Sequence, residues 1–282
     1  MRIPVAAAAL LNAAFCTNCI NHQETLDNLH LEALVWDCHN DLSYRVLYEG
    51  LNIGERLPGG PVDLPRLREG QVDVHSVALF VQNCLYGLPG EASGQAREII
   101  DAMVGAIRRN SDRVELARTG EDVERIVGAG KIAMPLAIEG GHAIENSLET
   151  LREFHSLGVS SMTLTHNVTH DWADSGADEA RWGGLNDFGR DVVREMNRLG
   201  MVVDISHVSD STFFDVLEVS EDPVIASHSG VRALNPHRRN LSDDMLRALG
   251  DNGGVVAVVF VLNYLTPEYR DAMNELRSVG AP

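Results

Sequence analysis

The sequence predicts an α/β fold of successive βα units on a parallel sheet, and three observations predict it. Short runs rich in Val and Ile alternate with longer segments of helical periodicity, the pattern of strands joined by crossover helices. No low-complexity tract, long linker or internal repeat interrupts the alternation. The chain has 282 residues, 44% hydrophobic and 23% charged, an ordinary balance for a globular domain able to bury a sizeable core.

Along the chain, residues 1–24 read as a leader and residues 25–282 as a single domain. The leader's first stretch, Met1 to Phe15, is apolar, with Arg2 the sole charge in that stretch and no clear cleavage site. It fits a weak signal peptide or a helix packed on the domain, and it is too short to span a bilayer. The compartment therefore stays open: cytoplasmic by default, exported if the leader acts as a signal. Cys16 and Cys19 have redox-type spacing but lack a second pair to complete a zinc site. With Cys38 and Cys84 they are too scattered for a disulfide framework.

Seven runs read as strands: Ala33 to Cys38, Val72 to Val81, Met134 to Glu139, Ser160 to His166, Met201 to His207, Pro223 to His228, and Gly254 to Phe260. Between them Ile99, Ile100, Met103, Val104 and Ile107 recur at helical spacing, as do Leu148, Leu151 and Phe154, then Val192, Val193, Met196 and Leu199. Thr119, Ser209 and Ser242 stand where N-caps belong, and Gly158 and Gly200 follow the last periodic residues as C-terminal glycines.

This alternation fits a (β/α)8 barrel or a doubly wound sheet. No Gly-x-Gly-x-x-Gly follows the first strand, which removes the main support for a dinucleotide-binding open sheet. The polar residues favour the barrel. His39 and Asp41 follow the first strand, and Glu139, His166, His207 and His228 end four others. In a parallel barrel those ends converge on one face, where that fold builds its active sites. Histidines and carboxylates suit zinc, and a shared carboxylate can hold two ions roughly 3.5–4 Å apart. A lone histidine beside an apolar run is usually a hydrogen-bonded core or rim residue, so it is the constellation that carries weight. The net charge of −18 excludes nucleic acid as a partner, because phosphate binding needs clustered Lys and Arg.

Eight motifs in order, from about residue 27 to residue 265, resemble the membrane (renal) dipeptidases. They are Asp37-Cys-His-Asn-Asp41-Leu, Ile138-Glu-Gly-Gly-His142, Leu164-Thr-His166-Asn, Gly184-Leu-Asn-Asp-Phe-Gly189, Glu195-Met-Asn-Arg-Leu-Gly200, Asp204-Ile-Ser-His207-Val-Ser209, Ser227-His228-Ser229 and Arg238-Arg239-Asn240. The resemblance implies a TIM-type (β/α)8 barrel that hydrolyses small dipeptides with water activated between two zinc ions. It gives His39 and Asp41 to one ion, His207 and His228 to the other, and Glu139 to both as a bridge. It implies that His166 steadies the tetrahedral intermediate, that Arg239 grips the substrate carboxylate, and that Tyr264 touches the substrate. His142 is expected just outside the ligands, and Cys38 stands where the family usually has glycine.

The family's barrel closes with an eighth strand carrying a Gly-Asp-Phe-Asp-Gly-like segment, whose first aspartate handles protons. Asn263 to Pro282 instead read as a loop and one helix, so the expectation is a barrel lacking its eighth strand. The first and seventh strands would then be unpaired edges, open to two-fold association, and activity would be weak or lost unless a neighbouring subunit closed the barrel. A metal-binding family member without turnover, or an amidohydrolase acting on another small amide or lactone, is the alternative.

Overall fold

The computed structural model describes residues 29–278, so the leader over residues 1–24 and the Cys16 and Cys19 pair lie outside the described residues. Two units emerge. Of the first, residues 1–34, the described part is a single helical turn closed by a hydrogen bond from Ala33 N–H to Leu29 O. The second begins at Val35 and carries the sheet.

That sheet has nine parallel segments: β1 (Trp36–Asn40), β2 (Val74–Phe80), β3 (Val114–Leu116), β4 (Ile132–Met134), β5 (Leu136–Glu139), β6 (Val159–Thr163), β7 (Val202–Asp204), β8 (Ile225–Ser229) and β9 (Val255–Val258). Their order is β3-β4-β2-β5-β6-β7-β8-β9, with β1 paired to β2. The sheet curls into a barrel that does not close: among the described residues no ladder joins β9 to β1. The curl nevertheless brings His39 on β1 against His228 on β8, ring centroids 3.8 Å apart.

All seven expected strands are present, and two segments are additional. The run expected as Met134 to Glu139 is broken at Pro135, which has no N–H to give a ladder. Its carbonyl still accepts from Val77 N–H at 2.9 Å, so the chain stays in the sheet on both sides of the break. The three-residue edge strand β3 is too short to show a period.

The helices are α1 (Leu42–Glu49), α2 (Leu64–Glu69), α3 (Glu91–Arg109), α4 (Gly120–Gly128), α5 (Leu148–Leu157), α6 (Asp187–Leu199), α7 (Asp210–Val219), α8 (Asp243–Asp251), α9 (Leu262–Leu265) and α10 (Pro267–Ser278). The expected caps form. Thr119, Ser209 and Ser242 accept from Asp122, Thr212 and Met245 N–H, while Gly158 and Gly200 end their helices at φ 115° and 72°. The periodic positions face inward: Ile99, Ile100 and Met103 of α3, Phe154 of α5 and Val192, Val193 and Met196 of α6 join Val77, Leu79, Ile138 and Met162 in one core. Phe154 is fully buried, and truncating such a residue to Ala typically costs about 3–5 kcal/mol. Of the described helices, none is long and apolar enough to cross a membrane.

Candidate metal centre

Parallel pairing fixes which residues meet at the C-terminal mouth of the sheet. Phe80 pairs with Glu139, Glu139 with Thr163, and Thr163 with Asp204, so the chain turns off β2, β5, β6 and β7 at one level. His39 and His228 lie within β1 and β8, Glu139 ends β5, and His166 and His207 each follow a strand end by three residues.

Local backbone explains how two of these side chains reach inward. After Glu139 the chain turns at Gly140 with φ 108°, a conformation L side chains rarely adopt. His207 itself has φ 70°, an uncommon value for a residue with a Cβ. The contortion is held from outside, since His207 O accepts from Gly176 N–H at 2.8 Å.

The centre is organised on one oxygen. Glu139 Oε1 lies 3.1 Å from His207 Nε2, 3.5 Å from His228 Nε2, 3.6 Å from His39 Nε2 and 4.0 Å from His166 Nε2. The Nε2 atoms of His207 and His228 are 2.9 Å apart. Burial alone would raise the Glu139 carboxyl, but the imidazoles of His207, His228 and His39 gathered around it hold it well below the usual carboxylate range. Burial lowers His39, His166 and His207 despite the pull of Glu139, with Arg239 adding to the effect at His166 and His207. An ionised carboxylate thus faces His39, His166 and His207 as neutral imidazoles near pH 7.

This donor set fits zinc. Neutral imidazole nitrogens and a carboxylate oxygen are its ordinary ligands, and they converge here in two overlapping groups, His39 with Glu139 and His228, and Glu139 with His166 and His207. Glu139 belongs to both, as a bridging ligand must. Asp41 lies apart from both groups: it is exposed on the cavity wall at the start of α1 and makes no capping hydrogen bond, so its carboxylate is uncommitted to the helix. Loss of surrounding water, then the Glu139 charge, raises its carboxyl. His166, expected to act on the substrate, belongs to the second of these groups, its Nε2 4.0 Å from Glu139 Oε1.

The cavity above the centre has a volume of about 1100 Å³ and includes Arg239 and Tyr264 in its wall. Arg239 is 5% exposed, an interior group although Arg238-Arg239 is a polar stretch of sequence. Its Nη2 donates to His228 O at 3.3 Å, its guanidinium carbon lies 5.7 Å from the Tyr264 ring, and its Nε has no partner. Burial lowers its pKa, against the pull of Tyr264 and Glu139. Cys38 also borders the cavity, and burial pushes its thiol up to about 11, so it stays protonated near neutral pH. His142 lies just outside the ligand groups, with Nε2 3.3 Å from Gln82 O.

Sequence reasoning missed the residues behind the imidazoles. His166 Nδ1 meets the side-chain amide of Asn83, His207 Nδ1 meets Asn167 Oδ1 at 3.2 Å, and His228 Nδ1 meets Ser227 Oγ at 2.8 Å. Ser227 and Asn167 adjoin histidines already singled out, and that adjacency was a usable signal. Asn83, in a short 3-10 turn after β2, offered none.

The family model of the membrane dipeptidases, peptidase family M19, matches residues 23–279. The dipeptidase tcpJ of Claviceps purpurea is 38% identical over 239 residues, which is 80% of this chain and 56% of that protein. The chain therefore spans little more than half the length of this curated relative. The crystal structure of the probable dipeptidase PvdM from Pseudomonas aeruginosa superposes with a TM-score of 0.81 at 26% identity, covering 90% of this chain and 68% of that one. A metallo peptidase from Rhodobacter sphaeroides, liganded with a phosphinate mimic of the dipeptide L-Ala-D-Ala, gives 0.75 at 25% identity, covering 86% and 82%. A family match over nearly the whole length, on a chain whose strand ends converge as that family's motifs require, shows that this chain belongs to the membrane dipeptidases of peptidase family M19.

Proposed function

We propose that this chain is a zinc-dependent dipeptidase, with His39 and Asp41 holding one ion, His207 and His228 a second, and Glu139 bridging them. The observation that carries the reading is the set of four imidazole Nε2 atoms within 4.0 Å of Glu139 Oε1, beside a buried arginine with an unpartnered Nε. When bound, such a pair of ions polarises a carbonyl and lowers the pKa of water, the chemistry that peptide hydrolysis needs.

The chain's own residues supply the rest. Arg239 presents a planar guanidinium to the cavity, suited to the terminal carboxylate of a dipeptide in a way an ammonium is not. Tyr264 lies against it and is itself packed on His237, ring centroids 4.5 Å apart, which limits the directions the guanidinium can take. His166, anchored through Nδ1 by Asn83, keeps Nε2 on the cavity side, where a neutral imidazole can meet the carbonyl oxygen as charge develops on it. The dipeptide mimic bound by the Rhodobacter sphaeroides relative supports the substrate class.

A second reading, zinc binding without turnover, is favoured by the cavity wall, whose carboxylates among the described residues are Asp37, Asp41 and Glu139, the last two placed here as ligands. Release of free amino acids from a dipeptide panel by the zinc-loaded protein separates the two. Turnover that vanishes in His207→Ala supports the dipeptidase, and a folded, zinc-bound protein without turnover supports the second reading. An Arg239→Met variant that loses dipeptides but keeps amides without a carboxylate points to a broader amidohydrolase.

A further inference from the structure

Asp204 and Ser227 stand outside the ligand set, and the hydrogen bonds between them run in one direction only. Asp204 ends β7 and is 3% exposed. Its Oδ1 accepts from the backbone N–H groups of Ser206 and Ser227, each at 3.0 Å. Its Oδ2 accepts from the hydroxyls of Thr163 and Ser227, each at 2.6 Å. Four donors converge on the two oxygens, and a proton on either oxygen would oppose one of them.

The consequence falls on Ser227. A hydroxyl has one proton, and that of Ser227 is engaged by Asp204. At the 2.8 Å contact with His228 Nδ1 the oxygen can therefore only accept. Ser206 ties the same segment down, its Oγ accepting from His228 N–H at 3.1 Å and lying 3.4 Å from Ser227 Oγ.

We propose that Asp204 and Ser227 are positioning residues that lock His228 in its Nδ1–H tautomer, aiming the Nε2 lone pair into the space shared with Glu139 and His207 and so setting the affinity of the centre for a divalent cation. The affinity half rests on the zinc reading above; the tautomer half rests on hydrogen bonds alone. The other two anchored imidazoles differ, because His166 and His207 meet amide side chains, which can turn over to present oxygen or nitrogen. At His228 a buried ion imposes the proton's place through a single hydroxyl.

The test has two readouts. Long-range nitrogen–proton correlation spectra of the metal-free protein, recorded above the titration range of imidazole, report which nitrogen of each histidine is protonated, with His228 assigned by its loss in His228→Gln. The expected result is Nδ1–H for His228 in the wild type and a shift toward Nε2–H in Ser227→Ala. Zinc affinity, measured against a competing chelator, should fall by roughly 10–100-fold in Ser227→Ala, as for other outer partners of metal ligands, and be largely restored in Ser227→Thr, which keeps the hydroxyl. Nε2–H in the wild type overturns the proposal whether or not any variant folds. Wild-type zinc affinity in a folded Ser227→Ala overturns its affinity half. A wild type that binds no zinc but shows Nδ1–H refutes the metal reading and leaves the tautomer lock standing.

Discussion

Gly141 is the position where the smallest change should do the most damage. A Cβ added there would lie 2.5 and 2.6 Å from Cζ2 and Cη2 of Trp172 and against the carbonyl oxygen of Leu164. Neither neighbour can yield cheaply. Leu164 O already accepts from Gly141 N–H at 3.2 Å and lies 2.9 Å from His170 Nε2, while Leu164 N–H donates to Asp204 O at 3.2 Å. Trp172 is fully buried, packed against His170 at 4.4 Å, with Gly189 too close to its backbone to admit a side chain. Overpacking by one methyl costs about 1–3 kcal/mol, and two immobile neighbours place Gly141→Ala at the upper end, about 3 kcal/mol. For a domain of this size that is a fall of about 6–10 °C in the midpoint of thermal unfolding, read by circular dichroism. Gly128→Ala is the control: its Cβ would meet nothing within 4 Å, and alanine in a helix should be neutral or stabilising by up to about 1 kcal/mol. A Gly141→Ala midpoint within about 2 °C of wild type, or an equal loss in Gly128→Ala, would refute the reasoning.

On the proposed two-ion reading, Glu139→Gln should reduce zinc binding from two equivalents to one or none, measured by metal analysis after dialysis, because an amide cannot supply the charge on which four imidazoles converge. His170 is held by burial at about 4, below its ordinary 6.5, so the unfolded chain takes up a proton that the folded chain refuses as pH falls from about 6.5 to 4. Its contribution should remove up to about 3 kcal/mol of stability across that window, and the urea midpoint of His170→Gln should fall less over the same range. Glu195 is pulled down to about 2 by Arg198 and then Arg152, so its stabilisation is present above about pH 4.5 and lost as pH falls toward 2. Glu195→Gln should cost only about 1 kcal/mol in urea denaturation at pH 7, because both arginine side chains are 43% exposed or more.

The parts of the fold legible from sequence were those governed by period and by punctuation. Strands as buried as Val74–Phe80 and helices as amphipathic as Asp187–Leu199 announce themselves because one physical demand repeats along the segment. Pro135 and the edge strand Val114–Leu116 did not, since one residue or three cannot establish a period. At the centre, strand-end histidines were visible because a parallel sheet makes strand ends converge. Asn83 was not, because its contact with His166 joins two loops 83 residues apart, and nothing local in Gln82-Asn83-Cys84 marks it. The burial of Arg239 was likewise a tertiary fact: Arg238-Arg239 reads as a polar loop, and only the packing of Tyr264 and His228 around it makes the second arginine an interior group.

The arrangement also ties folding to the metal. His39, Glu139, His166, His207 and His228 come from five different strands or the turns that follow them, and the unfolded chain has no reason to gather them. Crowding the imidazoles of His39, His207 and His228 around a buried carboxylate at 2.9–3.6 Å sets nitrogen and oxygen lone pairs against one another wherever no proton lies between them, a cost a divalent cation reverses. Whatever free energy the centre gains from zinc is therefore gained by the folded sheet and not by the unfolded chain, so stability should rise with free zinc as RT ln(1 + [Zn]/Kd). The gain should be smaller wherever Glu139 is replaced, and it should not depend on whether turnover occurs. Stability against zinc concentration thus reads the integrity of the ligand set separately from catalysis, and at a barrel mouth open between β9 and β1 the two need not fail together.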